Sequence, residues 1–127
     1  TMTSSVEYLG NLRTTATHLA SEKIIITDAP VDNHGKGEAF SPTDLVATAL
    51  ASCLITIMGI KARNLEVDID GTKAEVTKVM GTEPRRIVEV KIDVFFPNEN
   101  SVQELYQTQG VNGQYESIEK RKNCSKS

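Results

Sequence analysis

Hydrophobic and polar positions divide the chain around one stretch. Over residues 45–60 every polar side chain is a hydroxyl or a thiol, so no stripe of charge marks a solvated face. Ser41 is a good N-cap, Pro42 suits a first helical position, and Asp44 completes a Ser-x-x-Asp capping box beside the positive end of the helix dipole. Lys61 and Arg63 place cations near the negative end, and Asn64 offers a left-handed stop. The pattern predicts one helix of about 20 residues, apolar nearly all round. Such a helix is either buried in protein or spans a membrane. The uncharged run of about 16 residues falls short of the about 20 needed to cross about 30 Å of hydrocarbon, which predicts burial in protein and no membrane partner.

The flanking sequence reads as strands. Residues 6–12 and 14–19 alternate loosely around Gly10-Asn11, and residues 23–27 are rich in β-branched side chains, predicting two or three antiparallel strands. Asp28-Ala29-Pro30 and the run from Asp32 to Gly37 carry dense turn chemistry, predicting a polar, exposed loop that delivers the chain to Ser41. After the helix, residues 67–69, 73–80 and 87–96 alternate, with turns at Asp70-Gly71 and Glu83-Pro84, predicting three strands of a half-buried sheet. Val88, Val90, Ile92 and Val94 form its apolar side, which should lie on the helix. Pro97 ends that strand. Ser101 with Glu104 offers another capping box, Gly110 to Gly113 interrupt, and residues 114–122 have only Tyr115 and Ile118 as apolar anchors. A helix, a break and a second helix, weakly held or completed by a partner chain, are expected there.

Composition narrows the function. A chain of 127 residues suits a single domain over residues 1–127, and its net charge of −3 offers nucleic acid no basic footprint. The first residues show no basic cluster followed by an apolar run, so a cytoplasmic location is expected. Cys53 and Cys124, with His18 and His34, match no zinc spacing, so no metal or other cofactor is expected. A thiol in mid-helix is commonly a small core residue. A second thiol supplies the alternative, because a cysteine oxidised to sulfenic acid needs a resolving thiol to leave that state as a disulfide. Burial raises a thiol pKa and the helix dipole acts only within the first turn, so a catalytic Cys53 needs a cation brought to it. Arg13, His18, Arg85 and Arg86 are the candidates.

The run Gly35-Lys36-Gly37-Glu38-Ala39-Phe40-Ser41-Pro42-Thr43-Asp44-Leu45, leading to Ala49-Leu50-Ala51-Ser52-Cys53, resembles the signature of the OsmC/Ohr family, the osmotically inducible and organic-hydroperoxide-resistance proteins. Pro84-Arg85-Arg86-Ile87 and the plan of two cysteines resemble its OsmC-like branch. The resemblance implies an α+β fold in which antiparallel sheets pack around a long central helix and two subunits intertwine as a homodimer. It also implies reduction of organic hydroperoxides by a peroxidatic thiol at the Cys53 position and a resolving thiol at Cys124, both restored by an external dithiol. Where the family carries Asn-Pro-Glu before the helix, its glutamate helping to hold the activating arginine, this chain has Ser41-Pro42-Thr43, and Asp44 or Glu38 are the substitutes for that carboxylate. The rival reading is a non-catalytic OsmC-fold dimer that binds a small apolar ligand or acts structurally.

Overall fold

The computed structural model describes residues 1–97. The chain forms two compact units, Thr1–Val46 and Ala47 onward, each described by itself.

The first unit is built on a three-stranded antiparallel sheet, β1 (Ser4–Gly10), β2 (Arg13–His18) and β3 (Ile24–Asp28), in that order. The first turn falls one residue later than Gly10-Asn11. Asn11 and Leu12 both adopt left-handed backbone, at φ 54° and 63°, so that Gly10 pairs with Arg13. Two successive positive φ values give a two-residue turn whose twist matches that of the strands it joins. From there the register places Thr14 opposite Thr27 and Arg13 opposite Asp28. The apolar side chains Val6, Tyr8, Ile24 and Ile25 of this sheet are exposed in the single chain.

Helix α1 (Pro42–Asn64) has 23 residues and begins where the capping box places it. The Asp44 amide donates to Ser41 Oγ at 3.1 Å, and the Ser41 amide donates to Asp44 Oδ2 at 3.0 Å. Two otherwise orphaned amides are thereby satisfied reciprocally. The other end falls at Asn64, as expected, but the left-handed residue lies beyond it. Asn64 is helical, and the left-handed residue is Glu66, at φ 58°. The Val67 amide donates to the Ala62 carbonyl at 2.8 Å and the Glu66 amide to the Arg63 carbonyl at 3.1 Å, the pair of bonds that defines a Schellman motif.

Burial along α1 also departs from expectation. Ala47, Ala51, Leu54, Met58 and Ala62 are buried, recurring at spacings of three and four that keep them on one face. Leu50, Cys53, Ile57 and Ile60 recur in the same way on another face and are exposed, although the sequence predicts burial nearly all round. The reason is that a helix without charges carries no mark distinguishing the stripe covered by its own chain from the rest. By length and composition alone α1 is long and apolar enough to cross a membrane, longer than the uncharged run within it, with a mean hydropathy of 1.9 over its most apolar window.

In the second unit, strands β4 (Lys73–Gly81) and β5 (Arg86–Phe95) form an antiparallel hairpin with Val76 opposite Ile92. Leu54, Met58 and Ala62 of α1 form a core with Ile69, Val94 and Phe96, against which Leu65, Val67, Ala74 and Ile92 pack. The apolar side of β5 thus reaches the helix through Ile92, Val94 and Phe96, whereas Val88 nearer the turn is exposed. Residues 67–69 form no strand. Val67 is consumed in the helix cap, Ile69 is buried in the core, and the Ile69 carbonyl accepts from both the amide and the hydroxyl of Thr72. The helices expected beyond Pro97, and Cys124 with them, lie outside the described residues.

Candidate functional site

The register that sets Arg13 opposite Asp28 builds the most strongly polarised group in the first unit. Arg13 Nε donates to Asp28 Oδ1 at 2.6 Å and Arg13 Nη2 to Asp28 Oδ2 at 2.8 Å, a bidentate fork on a carboxylate that is 1% exposed. Arg13 Nη2 also donates to Glu38 Oε1 at 3.0 Å. Glu38 is 66% exposed and Arg13 28%, so the anchor is sunk in the protein while the cation and its second carboxylate reach solvent. Charge-assisted bidentate pairs are among the stronger polar contacts a protein makes. The Asp28 carboxyl is held below its ordinary pKa, chiefly by the hydrogen bonds from Arg13, then by the Glu38 amide, the charge of Arg13 and that of Lys36, against an opposing effect of desolvation. The Arg13 guanidinium is raised above its ordinary value by the same pairing, with Glu38 adding to it.

The loop between β3 and α1 brings Glu38 to this place. After a short 3-10 turn (Val31–Asn33), His34 is left-handed and the Gly35 amide returns to the Pro30 carbonyl at 2.9 Å. Gly37, at φ 64°, donates its amide to the Ala29 carbonyl at 3.1 Å. The Glu38 amide then donates to Asp28 Oδ2 at 3.1 Å. One buried carboxylate therefore holds both Arg13 and the backbone that carries the second carboxylate. In the sequence Asp28 reads as a turn residue and carries no mark of this role. The available signal was the register itself: pairing the β-branched residues 24–27 with residues 14–17 sets a cation opposite Asp28.

The structure brings Arg13 and Glu38 together and gives His18, Asp44 and Arg86 local partners. His18 Nδ1 shares a hydrogen bond with Ser21 Oγ at 2.6 Å. Asp44 Oδ2 accepts from the Ser41 amide in the helix cap. Arg86 Nη1 donates to the carbonyls of Thr82 and Pro84, at 2.8 and 2.9 Å, and ties the β4–β5 turn, where Arg85 is exposed beside it. Cys53 is a free, exposed thiol on α1 between Leu50 and Ile57, not a buried one. A groove of about 650 Å³ runs along the far end of α1, lined in part by Thr56, Gly59, Ile60, Arg63 and Ile69, and contains none of the nominated residues. Among the described residues no three His, Cys, Asp or Glu side chains gather to hold a metal ion.

Comparison with known proteins places the chain in a family. Residues 35–108, more than half of the chain, match the family described as OsmC-like protein. The chain belongs to the OsmC-like family. A solved structure of a provisionally named osmotic-stress-induced and detoxification-response protein from Psychrobacter arcticus is 56% identical, with a TM-score of 0.78 over 93% of this chain and 88% of that one. An organic hydroperoxide resistance protein of Vibrio cholerae, also provisionally named and solved with captopril bound in one of its active sites, is 16% identical, with a TM-score of 0.62 over 84% of this chain and 76% of that one. OsmC of Legionella pneumophila is 15% identical, with a TM-score of 0.54 over 97% and 88% of the two chains. At those lower identities the likeness shows the fold, an OsmC-like α+β arrangement of antiparallel sheets with one long helix. No functionally curated protein matches the sequence.

Proposed function

We propose that the protein is a cytoplasmic, homodimeric, thiol-dependent reductase of organic hydroperoxides in which Cys53 is the peroxidatic cysteine. The observation that carries this reading is the place of Cys53: a free, exposed thiol on the long helix of an OsmC-like chain, flanked on the same apolar face by Leu50 and Ile57. Apolar walls around a nucleophile suit the organic part of a hydroperoxide. The exposed face of α1 and the exposed apolar side chains of the first sheet support a second copy of the chain as their cover.

In this reading the Cys53 thiolate attacks the distal oxygen of the hydroperoxide. The O–O bond breaks, the leaving alkoxide takes a proton to become an alcohol, and Cys53 becomes a sulfenic acid. The Cys124 thiol then forms a disulfide with Cys53, expelling the sulfenic oxygen as water, and an external dithiol reduces that disulfide. Arg13 serves as the activating cation. What supports this is that Arg13 is held in a fixed orientation by the buried Asp28 carboxylate, with Glu38 in the supporting place.

Mass spectrometry after one equivalent of cumene hydroperoxide tests the reading. The parent protein should form a Cys53–Cys124 disulfide, Cys124→Ser should accumulate oxygen on Cys53, and Cys53→Ser should turn over no hydroperoxide. A parent protein with neither a disulfide nor added oxygen on Cys53 would sink the reading and leave the non-catalytic binding module in its place.

A further inference from the structure

The Arg13 cluster has an asymmetry that the peroxidase reading leaves unexplained. Two carboxylates meet one guanidinium, and only one of them, Asp28, is buried. A buried ion pair is a poor device for stability alone, because the attraction is largely offset by loss of hydration, and an apolar pair of similar volume does as well. Asp28 also binds the Glu38 amide, so its two oxygens accept three N–H groups from strand β2 and from the loop before α1. That leaves the two hydrogens on Arg13 Nη1 without a protein hydrogen-bond acceptor among the described residues.

We infer that Asp28 is the positioning residue of Arg13: it fixes the plane of the guanidinium and keeps the Nη1 hydrogens available to an anionic ligand. This inference rests on the proposed peroxidase reading and adds to it a residue that the family signature did not supply. Glu38, largely exposed, is the exchangeable partner, and Asp28 the permanent one. With both carboxylates in place the three side chains sum to one negative charge; with Glu38 displaced they sum to zero. The cluster therefore acts on a developing anion through directed N–H groups held in a fixed geometry, not through net positive charge. A guanidinium anchored on one edge loses little freedom when its other edge engages a ligand.

The test uses the full chain. In the parent protein, NMR should show the Arg13 Nε–H and the Glu38 amide protected from exchange together, since both hydrogens lie on the same carboxylate. Asp28→Asn should abolish protection of the Arg13 Nε–H, while Glu38→Gln should keep it. In turnover of cumene hydroperoxide, Asp28→Asn should lower kcat/KM about tenfold to a hundredfold, the usual effect of misplacing a reacting group. On an Arg13→Lys background the same substitution should cause no further loss, because a lysine has no fork to position. Rapid exchange of the Arg13 Nε–H in the parent would overturn the inference even if no Asp28 variant folds. Equal, independent losses from Asp28→Asn in the two backgrounds would do so as well, by making Asp28 merely structural. A parent with no hydroperoxide turnover but with both hydrogens protected, and with Nε–H protection lost only in Asp28→Asn, would end the peroxidase reading and leave Asp28 as the residue that positions Arg13.

Discussion

The Val67 amide reaches back 2.8 Å to the Ala62 carbonyl. Closing α1 in this way forces the residue before Val67 into left-handed backbone, and that residue is Glu66, at φ 58°. A side chain with a Cβ is strained there by about 1 kcal/mol relative to glycine. Glu66→Gly should therefore raise stability by about 1 kcal/mol, less what the freer unfolded chain takes back. A higher urea midpoint at unchanged slope is the expected result. A lower midpoint would mean that α1 does not end in this motif.

The opposite end of the helix makes the complementary prediction. Ser41→Ala removes the acceptor of the Asp44 amide and should lower stability by about 1 kcal/mol. Cys53 should alkylate at an unchanged rate, because it lies about three turns away, beyond the reach of the helix-end charge.

The two ends of α1 differ in how plainly the sequence announced them. The start is local chemistry: Ser41, Pro42 and Asp44 act on one another within four positions, and spacing alone reveals them. Asn64 marks the last helical residue, but the left-handed turn after it belongs to a hydrogen-bonding pattern that lets Glu66 occupy a place where glycine or asparagine is usual, and spacing alone does not reveal that. Residues 67–69 alternate like a strand because Val67 packs against the core and Ile69 is buried in it, a pattern that cap geometry and a turn produce equally well. Among the candidate residues, Cys53 was legible by type and by its place on α1, and its exposure was not. Asp28 owes its burial to Arg13, fifteen positions earlier, and to the amide of Glu38, ten positions later, so no window of neighbouring residues contains the reason for it.

Acid should find Asp28. Its carboxyl pKa is lower in the folded protein than in the unfolded chain, chiefly because Arg13 donates to it. The stabilisation is present in full above the unfolded value of about 3.9 and is lost as pH falls from there toward the depressed folded value. Urea unfolding between neutral and acid pH should show a steeper acid loss in the parent than in Asp28→Asn, which has no proton to bind at that place. Parallel acid limbs would show that the Arg13–Asp28 contact does not persist in solution.

Assembly can be probed from the exposed face of α1. If a second chain covers Leu50, Ile57 and Ile60, each about half exposed in the single chain, each contributes about 1 kcal/mol through burial. Ile57→Asp should then weaken the dimer by a factor of ten or more, at about 1.4 kcal/mol for each tenfold. Light scattering across a dilution series should show the parent holding its dimer mass at concentrations where the variant dissociates. A monomeric parent at micromolar concentration would remove the homodimer from the proposal.

A Cβ built on Gly35 would stand 1.8 Å from the Ala29 carbonyl oxygen, well inside any allowed contact. Ala29 follows Asp28 directly, and its carbonyl accepts the Gly37 amide one residue before Glu38. A single methyl group at Gly35 therefore pries apart the two segments that present carboxylates to Arg13. The most damaging lesion to that arginine's setting need not touch any charged atom: one carbon, at a glycine with no side chain of its own, would read out as the loss of a cation's setting.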